Sequence, residues 1–120
     1  MRDLEVSKEL LSEVLNLKVV SHGLLNKLNN SFDITYMQLK DNPYTRSMPI
    51  NIYEFAYRCK EWAFKNKYKI QSQINEGNKG HSHITKKNDD CWAKGFFENT
   101  EIEAVIKASE YILKELNEKR

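Results

Sequence analysis

The segment Ile50–Ile74 constrains the fold most, because its hydrophobic period changes once and sharply. Asn51 with Glu54 three residues on forms an N-x-x-E capping box, and Ile50 with Phe55 is placed as a hydrophobic staple. Behind that start, Ile52, Phe55, Ala56, Cys59, Trp62 and Ala63 recur at helical spacing, a stripe wide enough to pack on a sheet. After Asn66 the period becomes two: Tyr68, Ile70, Ser72 and Ile74 alternate with Lys69, Gln71 and Gln73, as in a strand with one wet face. A helix that runs directly into a half-buried strand must lie against a sheet. A second capping box, Thr100 with Glu103, opens a closing helix with Ile102, Val105, Ile106, Ile112, Leu113 and Leu116 on one face. Ala104 and Ala108 let that helix approach the sheet closely.

The remaining segments complete an α+β expectation. Ser7 caps a first helix with Leu10, Leu11, Val14, Leu15 and Leu17 at helical spacing, and Asn16 is its stop. KVVSHGLL and FDITYMQLK have strand character, the second placing Phe32, Ile34 and Tyr36 on one face, and NKLNNS between them reads as a hairpin turn. KDNPYTRSMP holds both prolines and reads as an irregular connection. Beyond Ile74, NEGNKG is a turn, HSHITKK and CWAKGFF are strands joined by KNDD, and Gly95 marks a bulge or a close approach. KELNEKR reads as a fraying helix end. The expected fold is α+β, an antiparallel sheet of four to five strands with three amphipathic helices, in the order α-β-β-α-β-β-β-α. At 120 residues it is expected to form one domain, 1–120.

Charge and composition exclude some classes. Nineteen Lys and Arg against seventeen Asp and Glu leave a net charge of +2, far from the basic excess of a dedicated non-specific nucleic-acid binder. Residues 58–94 nevertheless hold nine basic and four acidic side chains, whereas 95–120 hold four and six. Cys59 and Cys91 lack the dense, even spacing of a disulfide scaffold and read as reduced thiols. The start MRDLEVSKELL carries acids where a secretory leader has an apolar core, and no apolar run reaches the length of a membrane span. The expectation is a cytoplasmic protein with no membrane partner.

Each candidate for chemistry also has a plainer role. His81 and His83, two apart on a strand, point the same way, and Cys91 could return across a hairpin, but a zinc site needs three or four converging ligands and the tract is rich in lysine. Cys59 sits on the apolar stripe as a small hydrophobe, Cys91 has no positioned base, and the adjacent Asp89 and Asp90 suit a turn. Neither a phosphate loop nor a dinucleotide glycine motif occurs. The expectation is therefore no catalytic residue, no metal and no cofactor.

Two surfaces remain. On the helix after Asn51, Tyr53, Tyr57, Arg58, Lys60, Glu61 and Phe64 lie off the stripe, and Tyr53, Tyr57, Lys60 and Phe64 align as one ridge by their spacing. Exposed aromatics beside Arg are enriched where proteins bind proteins, so Tyr53, Tyr57, Arg58, Lys60 and Phe64 are the expected surface for a protein partner or a homo-oligomer. The competing expectation is that the 40–49 connection covers this ridge. The second surface is basic: Arg58, Lys60, Lys65, Lys67 and Lys69 interleave with Trp62, Phe64 and Tyr68, and an anion or nucleic-acid site would use Lys65, Lys67, Lys69, Lys86 and Lys87. Lysines near a helix C-terminus also complement the macrodipole without any ligand.

RDLEVSKELLSEVLNL, INIYEFAYRCKEWAFKNKYKIQS and FFENTEIEAVIKASEYIL together resemble segments of small proteins encoded by bacteriophages and prophages. More distantly they resemble the phage αβα-sandwich type, in which an N-terminal helix and a final T-x-x-E-A-I-x-K-A helix flank a sheet. The resemblance implies a non-enzymatic accessory protein that binds and inhibits or sequesters a bacterial host factor, such as a defence component. The alternative is a nucleic-acid or nucleotide-binding module using the basic 58–94 region. The shared segments are capping and packing motifs and carry no catalytic residue to transfer.

Overall fold

The computed structural model describes residues 4–28, 31–40, 44–86 and 92–119. Among these are three helices and two antiparallel sheets, so the protein is of the α+β class. The chain divides into two compact units, Met1–Phe55 and Ala56–Arg120, with the division falling inside one helix.

The first unit holds β1 (Glu5–Val6), α1 (Lys8–Leu15), β2 (Gly23–Leu28), β3 (Ser31–Leu39) and β4 (Thr45–Asn51), its strands pairing in the order β1-β2-β3-β4. Ser7 caps α1, its Oγ accepting from the Leu10 amide at 3.1 Å. Asn16 ends the helix in the left-handed region at φ 54°, leaving Leu17 beyond the helix. Leu10, Leu11, Val14 and Leu15 are buried. A Cβ on Gly23 would lie 2.5 Å from Ile34 Cγ2 and 2.9 Å from Leu11 Cδ1, so glycine is what lets α1 seat on this sheet. Ile34, Tyr36 and Ile50 are buried.

Three expectations are corrected in this unit. The residues read as an irregular connection contain β4, whose Pro49 pairs with Thr35. As the outermost strand β4 bonds to the sheet on one side only, which is where a strand tolerates proline. KVVSHGLL forms a strand only from Gly23, Val19 making an isolated bridge to Gln38. Glu5–Val6, not foreseen, adds a short strand beside β2. The hairpin of β2 and β3 stands, with Leu28 opposite Ser31; Asn29 and Asn30 lie outside the described residues.

β4 runs straight into α2 (Ile52–Lys65), and Asn51 serves both elements. Its backbone lies opposite Asp33, while its Oδ1 accepts from the amides of Tyr53 at 2.9 Å and Glu54 at 3.3 Å. All six stripe residues of α2 are buried.

The second unit, after α2, holds β5 (Tyr68–Ile74), a 3-10 turn (Glu76–Asn78), β6 (Gly80–Lys86), β7 (Trp92–Glu98) and α3 (Glu101–Lys119). The strands pair as β5-β6-β7, separate from the first sheet, so the expected sheet of four to five strands is here two sheets of four and three. α3 lies along all three strands. Its start is the foreseen box: Thr100 Oγ1 accepts from the Glu103 amide at 3.1 Å and donates to Glu103 Oε1 at 2.9 Å. Ala104 and Ala108 are fully buried, and Ser82 Oγ on β6 donates to the Ala104 carbonyl at 2.7 Å. Gly80, which the sequence suggested only as part of a turn, abuts the backbone of Thr100 and Glu101 so closely that a Cβ would collide with it.

The strand alternation is real but fades: Tyr68 and Ile70 are buried, whereas Ile74 is 67% exposed at the end of β5. The irregularity foreseen at Gly95 lies elsewhere. Gly95 pairs in register with His83, and the register shifts between Ile84 and Thr85, which face Lys94 and Trp92. Residue 93 is thus the extra one. Among the described residues no helix is long and apolar enough to cross a membrane.

Candidate functional site

The ridge on α2 is a surface feature. Tyr53, Tyr57 and Phe64 are 58%, 63% and 61% exposed, Glu61 is exposed, and Arg58 and Lys60 are half-buried. Residues 41–43 of the 40–49 connection lie outside the described residues. The same helix buries everything on its other side, so its large exposed rings are not a by-product of weak packing.

Cys59, at the centre of the buried stripe, is the opposite case. Burial pushes its thiol up to about 12, a hydrogen bond with Ser109 partly opposing this and the Glu110 carboxylate adding to it. At neutral pH it is a protonated core group and no nucleophile. Cys91, Asp89, Asp90 and Lys87 lie outside the described residues.

Among the described residues, the basic set does not share one face. Lys65 and Lys67 are exposed where α2 ends, Lys67 in the left-handed region at φ 70°. The Asn66 side-chain amide donates to the Trp62 carbonyl at 2.9 Å and closes the helix there. Lys69 pairs with Thr85 and Lys86 with the buried Tyr68, so the two lysines leave opposite faces of the sheet. Lys86 turns to α3, 3.6 Å from Glu115 Oε1.

What the register does bring together is the face of β5-β6-β7 away from α3. Gln71 lies opposite His83, His81 opposite Phe97, and Lys69 opposite Thr85. The His81 and Phe97 rings are stacked, with centroids 4.4 Å apart and planes 13° from parallel, and His81 and His83 follow at 5.7 Å. His83 Nε2–H donates to Gln71 Oε1 at 2.7 Å. Its imidazole is held below the ordinary histidine range, by burial first and then by His81 and Lys69. Phe97 is 68% exposed, whereas Phe96 points the other way and meets Tyr111 edge-on at 5.8 Å. The sequence contained one signal for this: of two adjacent phenylalanines in a strand, one must face outwards.

The two histidines point the same way, as expected, but no group of three or more metal-binding side chains occurs among the described residues. Each unit has a hollow of its own among the described residues. One of about 300 Å³ in the second unit lies beside Phe97, lined also by Glu76, Lys79 and Glu98. The other, of about 420 Å³ in the first unit, is lined chiefly by β2 and β3, with Leu24 half-exposed in it.

No protein-family model, curated protein or solved structure matches this chain.

Proposed function

We propose that this chain is a small non-enzymatic binding protein of the bacteriophage accessory kind, which docks through the α2 ridge on a protein of the bacterial host and blocks it. The observation that carries the reading is the exposure of Tyr53, Tyr57 and Phe64 on a helix whose opposite stripe is completely buried. Tyrosine and phenylalanine supply large contact area at low cost in side-chain freedom, and the half-buried Arg58 and Lys60 beside them supply polar anchors. A bacterial host, and a defence component as target, follow from the resemblance of the capped segments to phage and prophage proteins. Cytoplasmic action belongs to the same reading.

The test is a Tyr57→Glu, Phe64→Glu double variant, first shown by circular dichroism to be folded. Wild type is expected to retain a defined bacterial protein on an affinity column, and the variant to lose it. Light scattering of both proteins separates a heterologous partner from a second copy of this chain. A folded variant that keeps the same partner, or a variant that cannot fold because the ridge is core, overturns the proposal.

A further inference from the structure

We infer that the outer face of the β5-β6-β7 sheet binds single-stranded nucleic acid, with Phe97 stacked on His81 as a platform for a base and Lys69 as a phosphate contact. Phe97 is two-thirds exposed yet held flat against His81 at 4.4 Å, so its free face is a preformed aromatic plane. Bases stack on such planes whatever their identity, because each has a π face. Beside the platform, His83 and Gln71 are joined by a hydrogen bond of 2.7 Å.

Charge favours this occupant over a peptide. Among the described residues of this face none is acidic, while Lys69 stands beside His83 and Lys67 precedes it at the turn into β5. The hollow beside Phe97 is lined by Lys79 as well as by Glu76 and Glu98, so its charges are mixed. Few cations are involved, so the expected affinity is modest and depends on stacking as much as on charge.

The experiment is fluorescence anisotropy of the full chain with a labelled oligothymidylate at two salt concentrations, with a duplex of equal length alongside. Wild type should bind the single strand more tightly than the duplex. Phe97→Ala should weaken binding by roughly tenfold, within the range for loss of one stacked base, and Phe97→Trp should restore it. Lys69→Gln should lower the salt dependence by about 0.7 log units per log unit of salt, the loss of one phosphate contact. This second variant reads the site even if Phe97→Ala fails to fold. The Tyr57→Glu, Phe64→Glu variant should bind as wild type does, which keeps this site distinct from the α2 ridge. No binding at low salt, equal binding to duplex, or indifference to both Phe97 and Lys69 overturns the proposal. A protein captured through Phe97 with no oligonucleotide bound would also overturn it.

Discussion

Cys59 shows how one burial converts into a pH dependence. Its thiol ordinarily ionises near 9.0 and in the fold only near 12. Between those values the folded chain keeps a proton that the unfolded chain has lost. Stability from this group is therefore complete below about 9 and falls as pH rises towards 12. Urea midpoints measured across that window should fall more steeply for wild type than for Cys59→Ala; parallel curves would mean the thiol is not the buried group. For His83 the sign is reversed. Its folded value lies below the ordinary 6.5, so the unfolded chain takes up the proton first and stability falls as pH drops through that value. Trp62 and Ile106, both buried, set the scale of core packing. Alanine should cost about 3 to 5 kcal/mol at Trp62 and about 2 to 5 kcal/mol at Ile106, read from denaturant unfolding. A Trp62→Ala protein that unfolds at the wild-type midpoint would show that the stripe is not core.

At the scale of elements, legibility followed capping chemistry. α1, α2 and α3 begin at Ser7, Asn51 and Thr100, each accepting from an amide two or three residues on, and those residue types announce a helix start before any packing is known. β4 has no such mark. TRSMPIN is exposed along most of its length and contains Pro49, so neither alternation nor propensity separates it from a loop; only pairing with β3 makes it a strand. The division into two sheets was equally hidden, since partner choice depends on register. The α2 ridge could be read from spacing alone, because a helix carries its own geometry. The Phe97 platform could not, because which phenylalanine faces out depends on which face α3 covers. The contact of Gly80 with α3 was also beyond reach, as it joins a strand start to a helix start about 20 residues away. This contact is testable. Gly80→Ala should destabilise by about 1 to 3 kcal/mol, the usual cost of forcing extra volume into a packed site, because a backbone segment must move to admit the Cβ. Thr100→Ala, which removes the adjacent cap, should cost about 0.5 to 2 kcal/mol. Both are read as shifts in denaturant midpoint, and a neutral Gly80→Ala would mean that α3 does not start against β6.

At the scale of the whole molecule, each compact unit has one strand bonded on both sides along most of its length. In the first unit this is β3, between β2 and β4; in the second it is β6, between β5 and β7. Backbone amides in such strands are released only when the sheet itself opens, whereas an outer strand leaves half of its groups to the solvent. The buried Ile34 and Tyr36 on β3, and Ser82 and Ile84 on β6, should therefore carry the slowest-exchanging strand amides of their units, with Ala104 to Ala108 of α3 comparably slow. The outer strands β4 and β5 should exchange at their unbonded amides orders of magnitude faster. Hydrogen exchange followed by NMR checks this residue by residue, and adding a partner makes it a functional measurement. Docking on the α2 ridge leaves β5 and β6 unchanged but slows Tyr53 to Phe64, whereas an oligonucleotide on the second sheet slows Lys69 to Gln73 and His81 to Thr85. If the unbonded amides of β4 are already as slow as those of β3 in the isolated protein, another chain is covering that edge. The surface through which copies of this molecule meet would then be β4 and not the aromatic ridge of α2.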